Sequence, residues 1–250
     1  MSTLLTPQLW QEIQPIFQRE YPKEAIVAIW GDEWRQLDNV SKTPEFTFEL
    51  SQDDQKLLLR RKPTLLLHSH PSGESAPSDT DLAQQLATNM NWGIVGVKGN
   101  PTTNDVYEVK YPEMWGEDVP IPPLLGREYL YGVRDCWGIV RDWHRLNGMN
   151  VPEIPRTSSG KYPCGDWRND PFAYWPLKIG FKEVKARDRK PGDVAVIKLR
   201  SPIYNHCMVY LGESNYLHQM RGQMSDYFRP AHEERLIEMG SFIYYRFKHK

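Results

Sequence analysis

Apolar residues fall along this chain in two separated sets of runs. Glu24 to Trp30 (EAIVAIW) is a continuous apolar stretch closed by Gly31 and Asp32, and Pro63 to His68 (PTLLLH) is a second. Short unbroken runs bounded by turn residues predict buried strands. Leu82, Leu86 and Met90 then recur every four residues beside Ala83 and Ala87, which predicts one buried helical face. Further along, Cys136 to Leu146 predicts a helix with Ile139, Val140, Trp143 and Leu146 on one side. Asp193 to Leu199 and His206 to Leu211 predict strands, and Gly212 to Asn215 predicts a hairpin turn into a strand from Tyr216 to Met220. Between the two sets, Pro112, Pro120, Pro122 and Pro123 crowd a stretch that also holds Gly116. Proline lacks the amide hydrogen and disfavours helix before it, so residues 113–121 are expected to be an extended linker. The expected architecture is α+β, with one domain over residues 1–112 and another over 122–250.

Composition narrows the function classes. The 250 residues carry 31 basic and 32 acidic side chains, a formal net charge of −1, so bulk charge signals no nucleic-acid partner. At 40% hydrophobic and 25% charged the chain can bury a core, and no apolar run approaches the roughly 20 residues of a spanning helix. Met1 to Phe17 has no basic residue before its apolar positions and no small-residue cleavage pattern, so it does not read as a signal peptide and a cytoplasm is the expected compartment. Cys136, Cys164 and Cys207 make an odd count, expected as free thiols. The nine tryptophans are expected mainly as core residues.

Two constellations carry chemistry. Residues two apart on a strand share a face, so His68 and His70 can aim both imidazoles at one point before Pro71 ends the strand. In SHPSGESAPSDTD, Ser78 and Asp81 stand just before the Leu82 helix, where a carboxylate can return to the histidines. Two imidazoles, one carboxylate and an open fourth position make a catalytic zinc site. Alone, Ser78 with Asp81 is an ordinary capping box, and H-x-H is common in loops. Together, H-x-H-P, six residues, Ser, two residues and Asp resemble the JAB/MPN (JAMM) metallopeptidase motif at every fixed position, over residues 8 to 112. That resemblance implies Zn²⁺ on His68, His70 and Asp81, Glu24 as general base, and Ser78 as a donor to the tetrahedral oxyanion. Val27 stands where the family usually has a small residue.

The second constellation is built on sulfur. Cys136 follows Asp135 and opens the predicted helix, which puts its thiol near the positive end of a helix dipole. Cys164, in a loop, and Cys207, inside an apolar strand, lack that context. If the hairpin loop centres on Glu213, His218 falls opposite residue 208, on the face of His206 and diagonal to it, which permits a Cys-His-His relay. The segments YGVRDCWGIVRDW, KPGDVAVI and NHCMVYLG...YLHQM resemble the NlpC/P60 cysteine peptidase domain, a papain-like fold, over residues 122 to 250. By that resemblance Cys136 is the nucleophile, His206 the base, His218 the orienting residue and Tyr129 the oxyanion support. Trp137 and Met208 replace smaller family residues and are expected to narrow the substrate groove or select a particular peptide.

The pairing of the two modules resembles tail tip assembly proteins of lambda-like, long-tailed bacteriophages. It implies other tail tip proteins as partners, a tail component or murein stem peptides as substrate, and the host cytoplasm during assembly, with the virion tail tip as a further place of residence. The alternative is a structural assembly factor with one or both sites vestigial. A third reading, an isopeptidase for ubiquitin-like modifiers, uses only the first half.

Overall fold

The computed structural model describes residues 4–156 and 170–248, so Cys164 lies outside the described residues. The chain divides into two units, residues 1–120 and 121–250. No described helix is long and apolar enough to cross a membrane.

In the first unit, α1 (Pro7–Glu20) starts at Thr6, whose Oγ1 accepts the Leu9 N–H at 3.2 Å. Leu9, Ile13, Ile16 and Phe17 form its buried stripe. β1 (Ile26–Trp30) and β2 (Glu33–Leu37) form a hairpin, and α2 (Gln52–Arg60) precedes β3 (Leu65–His70). From β3 the chain returns through α3 (Asp79–Thr88) to β4 (Trp92–Asn100), which lies parallel to β3. β5 (Asp105–Val109) and β6 (Glu113–Trp115) both pair antiparallel with β4. The sheet order is β2-β1-β3-β4-β5, with β6 on β4. Leu65 and Leu67 of β3 join Val27, Ile29, Val95 and Val97 in the core that α1 covers, so Leu66, His68 and His70 face the other way. Gly96 lets the loop that leaves His70 lie directly on β4: a Cβ there would stand 2.6 Å from the Gly73 carbonyl oxygen.

In the second unit, α4 (Cys136–Leu146) is followed by α5 (Pro171–Lys178), β7 (Phe181–Val184), β8 (Val194–Ile197) and β9 (His206–Gly212). Then come β10 (Asn215–His218), β11 (Asp226–Phe228), α6 (Glu233–Glu238) and β12 (Phe242–Phe247). The sheet is antiparallel throughout, in the order β11-β10-β9-β8-β12-β7. Trp137, Ile139 and Val140 of α4 pack with Val194, Val196, Cys207 and Val209 on one face. Met208, Tyr210, Tyr216 and Tyr244 form a second core on the opposite face, against which Leu236 and Ile237 of α6 pack.

Several expectations shift. β1 starts at Ile26, leaving Glu24 before the strand, and β3 runs to His70, so both histidines are strand residues. Residues 113–115, expected in the linker, form β6 because Glu113, Met114 and Trp115 pair with Ile94, Gly93 and Trp92. The face through Leu82, Leu86 and Met90 is not one stripe. α3 ends at Thr88, Leu86 is 36% exposed, and Gln85 is buried instead. A spacing of four turns about 40° per step, so two steps carry a side chain well round the helix. Leu146, the last residue of α4, is 60% exposed rather than on the buried side.

Candidate active sites

In the first unit, β3 places His68 and His70 side by side with Nε2 atoms 3.1 Å apart. Asp81 reaches both: Oδ1 lies 3.3 Å from His68 Nε2 and Oδ2 3.5 Å from His70 Nε2. One ligand atom from each residue falls within a cluster 4.8 Å across. The carboxylate is aimed by the helix start. Ser78 Oγ accepts the Asp81 N–H at 3.1 Å, and Asp81 Oδ2 accepts the Ser78 N–H at 2.7 Å. The capping box and the ligand cluster are thus one structure, because the cap leaves the carboxylate further lone pairs for the imidazoles. Accepting its own bond also leaves the Ser78 hydroxyl proton free to donate.

Electrostatics favour a cation here. Burial pushes the Asp81 carboxyl up, but the hydrogen bonds from His68 and His70 outweigh it and hold the group well below the usual carboxylate range. Burial beside Phe48 and Trp92, with rings 4.9 and 5.6 Å away, pushes His68 down and keeps it neutral. Its Nδ1 is buried without a protein partner, so Nε2 is the atom through which this imidazole works. Neutral imidazole and ionised carboxylate are the protonation states a divalent metal requires, and this donor set fits zinc. Glu24 shares a cavity of about 320 Å³ with His70, Ser78 and Asp81, walled by Phe46 and Phe48. Burial, with the Asp81 charge adding and His70 opposing, pushes Glu24 up to about 7. Val27, the bulky departure, is buried in the core on the opposite side of the sheet and does not enter this cavity.

In the second unit, Asp135 caps α4: Oδ1 accepts the Gly138 N–H at 2.8 Å and Oδ2 the Gly132 N–H at 3.1 Å. Cys136 is the first residue of that helix and half-buried. A hydrogen bond from the Cys207 thiol, opposed by burial and reinforced by a bond from His206 and its charge, pulls the Cys136 thiol down to about 5. Burial, with the contact to Cys136 adding to it, pushes Cys207 up, so Cys207 stays protonated and donates. His206 Nε2 lies 3.3 Å from His218 Nδ1, the rings nearly perpendicular at 77°. Tyr216 pairs with Tyr210 and Leu217 with Val209, so β10 runs in the register that sets His218 opposite Met208. Burial and the neighbouring His206 push His218 down to about 4, and Phe228 stacks on it at 5.2 Å. Burial, Asp135 and Cys136 push Tyr129 up to about 12, so its phenol stays protonated and keeps an O–H to donate.

Trp137 and Met208 do not narrow a groove. Trp137 is 1% exposed against Phe181 in the α4 core, and Met208 is fully buried in the opposite core. Cys207, set aside in the sequence because it lies inside an apolar strand, instead meets the Cys136 thiol. Arg156 escaped sequence reasoning, since nothing in its local sequence announces its ion pair with Asp135.

Residues 126–239 match the NlpC/P60 family. Over 162 residues the chain is 27% identical to tail tip assembly protein K of Escherichia phage lambda, covering 64% of this chain and 71% of that protein. Tail tip assembly protein K of Escherichia phage N15 is 27% identical over 216 residues, 82% of each chain. Among solved structures, an NlpC/P60 family protein from Bacillus cereus ATCC 10987 aligns with 93% of this chain and 65% of its own, at 10% identity and a TM-score of 0.32.

Proposed function

We propose that the chain is a tail tip assembly protein of a long-tailed phage that hydrolyses peptide bonds at two separate sites, a thiol site in its second unit and a zinc site of JAB/MPN type in its first. The observation that carries the reading is that Cys136, His206 and His218 all fall within residues 126–239, which match the NlpC/P60 family, with His206 Nε2 3.3 Å from His218 Nδ1. The likeness of 64% to 82% of the chain to two phage tail proteins supports the assembly role, with other tail tip proteins as partners and the host cytoplasm as the place of work.

At the thiol site, the Cys136 thiolate attacks the substrate carbonyl carbon and forms a carbon–sulfur bond. The oxyanion accepts hydrogen bonds from the Tyr129 O–H and the free N–H groups at the start of α4. His206, as imidazolium, gives its proton to the leaving nitrogen as the carbon–nitrogen bond breaks. Neutral His218 holds the ring that does so. Water then attacks the thioester, His206 takes its proton, and the acid leaves with the thiolate restored.

At the first site, His68, His70 and Asp81 would hold Zn²⁺, which when bound supplies a Lewis acid and an activated water. Glu24, with its proton affinity raised by burial, receives a proton in the same cavity, and the Ser78 hydroxyl donates toward an anionic oxygen. Val27, Trp137 and Met208 are core residues, so their bulk is no argument for the purely structural alternative.

The substrate class is a tail component or murein stem peptides. Release of fragments from purified murein, and processing of co-expressed tail tip proteins, should be measured with the intact protein, with and without a chelator and a thiol blocker. Loss of each activity with its own inhibitor is expected; cleavage of neither substrate under any condition would leave the assembly role without hydrolysis.

A further inference from the structure

The helix start that presents Cys136 carries an apparent contradiction. Its cap, Asp135, is an anion adjacent in sequence to the residue that must become an anion, and it opposes ionisation of the thiol. Arg156 resolves the contradiction. Its Nε lies 2.6 Å from Asp135 Oδ2 and its Nη2 donates to Oδ1 at 3.0 Å, a bidentate pair whose side chains are 7% and 6% exposed. Arg156 also pairs with Glu153 at 2.5 Å, and Glu153 pairs with Arg141 of α4 at 2.8 Å. The four charges alternate in sign and sum to zero, and they tie the segment after α4 to the helix that carries the nucleophile.

We propose that Arg156 is a positioning residue for the thiol site: by pairing with Asp135 it offsets much of the charge that this carboxylate, while capping α4, sets against the Cys136 thiolate. The inference rests on the reading of Cys136 as nucleophile. The other groups facing the thiol are His206 and Cys207 from β9, with His218 behind His206, and Tyr129 from the approach to α4, near which Arg221 also lies. His206 and Cys207 act on the sulfur directly; Arg156 acts through the cap.

The test is the pH dependence of iodoacetamide alkylation at Cys136, read by peptide mass mapping on the full chain. Wild type should show a midpoint at about 5. Arg156→Gln should move it up by about 1 to 2 pH units, the shift expected from one uncompensated neighbouring charge. Arg156→Lys should restore most of the low midpoint, and Asp135→Asn with Arg156→Gln should return it close to wild type. A merely structural Arg156 would lower stability and leave the midpoint in place, which overturns the inference, as would a double variant that keeps the raised midpoint. If Arg156→Gln does not fold, Asp135→Asn decides: its midpoint should fall below wild type, and one unmoved or raised overturns the inference. An ordinary thiol midpoint in wild type removes the nucleophile reading and this inference with it.

Discussion

The two candidate sites use the same local device to different ends. Each sets histidine from a strand against the first turn of a helix, where backbone N–H groups and a capping carboxylate meet. In the first unit the carboxylate of the capping box is itself the proposed ligand: Asp81 accepts the Ser78 N–H and reaches both imidazoles. In the second unit cap and proposed nucleophile are neighbours: Asp135 caps α4, Cys136 is the first residue of that helix, and Arg156 pairs with Asp135. On the proposed reading, one arrangement gathers lone pairs for a cation, and the other generates an anion without one. The contrast predicts chemistries that separate cleanly.

The largest expected effect follows from that separation. Cys136→Ala should lower thiol-dependent cleavage on the order of 10⁴-fold or more, because a nucleophile acts as one unit with its base. A chelator should leave that cleavage unchanged, since His68, His70 and Asp81 all lie in the other unit. Assays of defined stem peptides with EDTA present would show it, and cleavage surviving Cys136→Ala would remove the thiol mechanism.

Next in size is loss of metal. The intact protein should bind about one zinc per chain, and the His68→Ala, His70→Ala double variant should bind none, because one carboxylate cannot replace three ligands. Glu24→Gln should keep the metal while losing metal-dependent cleavage, because Glu24 is a cavity wall and proton acceptor outside the ligand cluster. Elemental analysis distinguishes the cases; zinc loss in Glu24→Gln would make Glu24 a ligand.

How much of this was legible depended on whether the geometry is local. Strand alternation set His68 beside His70, and three residues of helix start set Asp81 under Ser78, so the first cluster could be read from spacing. The hairpin turns at Glu213 and Ser214, both at positive φ, with Gly212 paired to Asn215; a one-residue register shift after Asn215 then pairs Tyr216 with Tyr210 and sets His218 opposite Met208, on the face of His206. Contacts made only by packing were invisible. Cys207 meets Cys136 because α4 lies on β9, and Arg156 meets Asp135 across 21 residues. The same blindness assigned Trp137 and Met208 to a groove, although one faces each core.

A smaller effect appears in stability against pH. The Cys136 thiol is held near about 5 in the folded chain, below its ordinary value of 9.0. Between those values the unfolded chain binds the extra proton, so stability from this group rises with pH. It is fully present above the unfolded value and lost as pH falls through the folded one. The difference in denaturant midpoint between wild type and Cys136→Ser should therefore grow from pH 5 toward pH 9. A constant difference would mean that the thiol is not ionised in the folded chain.

The smallest effect separates a cap from a ligand within the first site. Ser78→Ala removes the hydroxyl that accepts the Asp81 N–H and should cost about 1 kcal/mol of stability, while Ser78→Gly should cost only a few tenths. Zinc stoichiometry should hold in both, because the backbone N–H of residue 78 still anchors the Asp81 carboxylate at 2.7 Å. That anchoring distinguishes the two helix starts. At Ser78 the side chain can go while the working carboxylate stays aimed by backbone, whereas at Asp135 the capping group is a charge that the nucleophile must live beside. Denaturant unfolding paired with elemental analysis of the two Ser78 variants tests the point. Zinc lost in step with stability would show that the hydroxyl, rather than the backbone, aims Asp81.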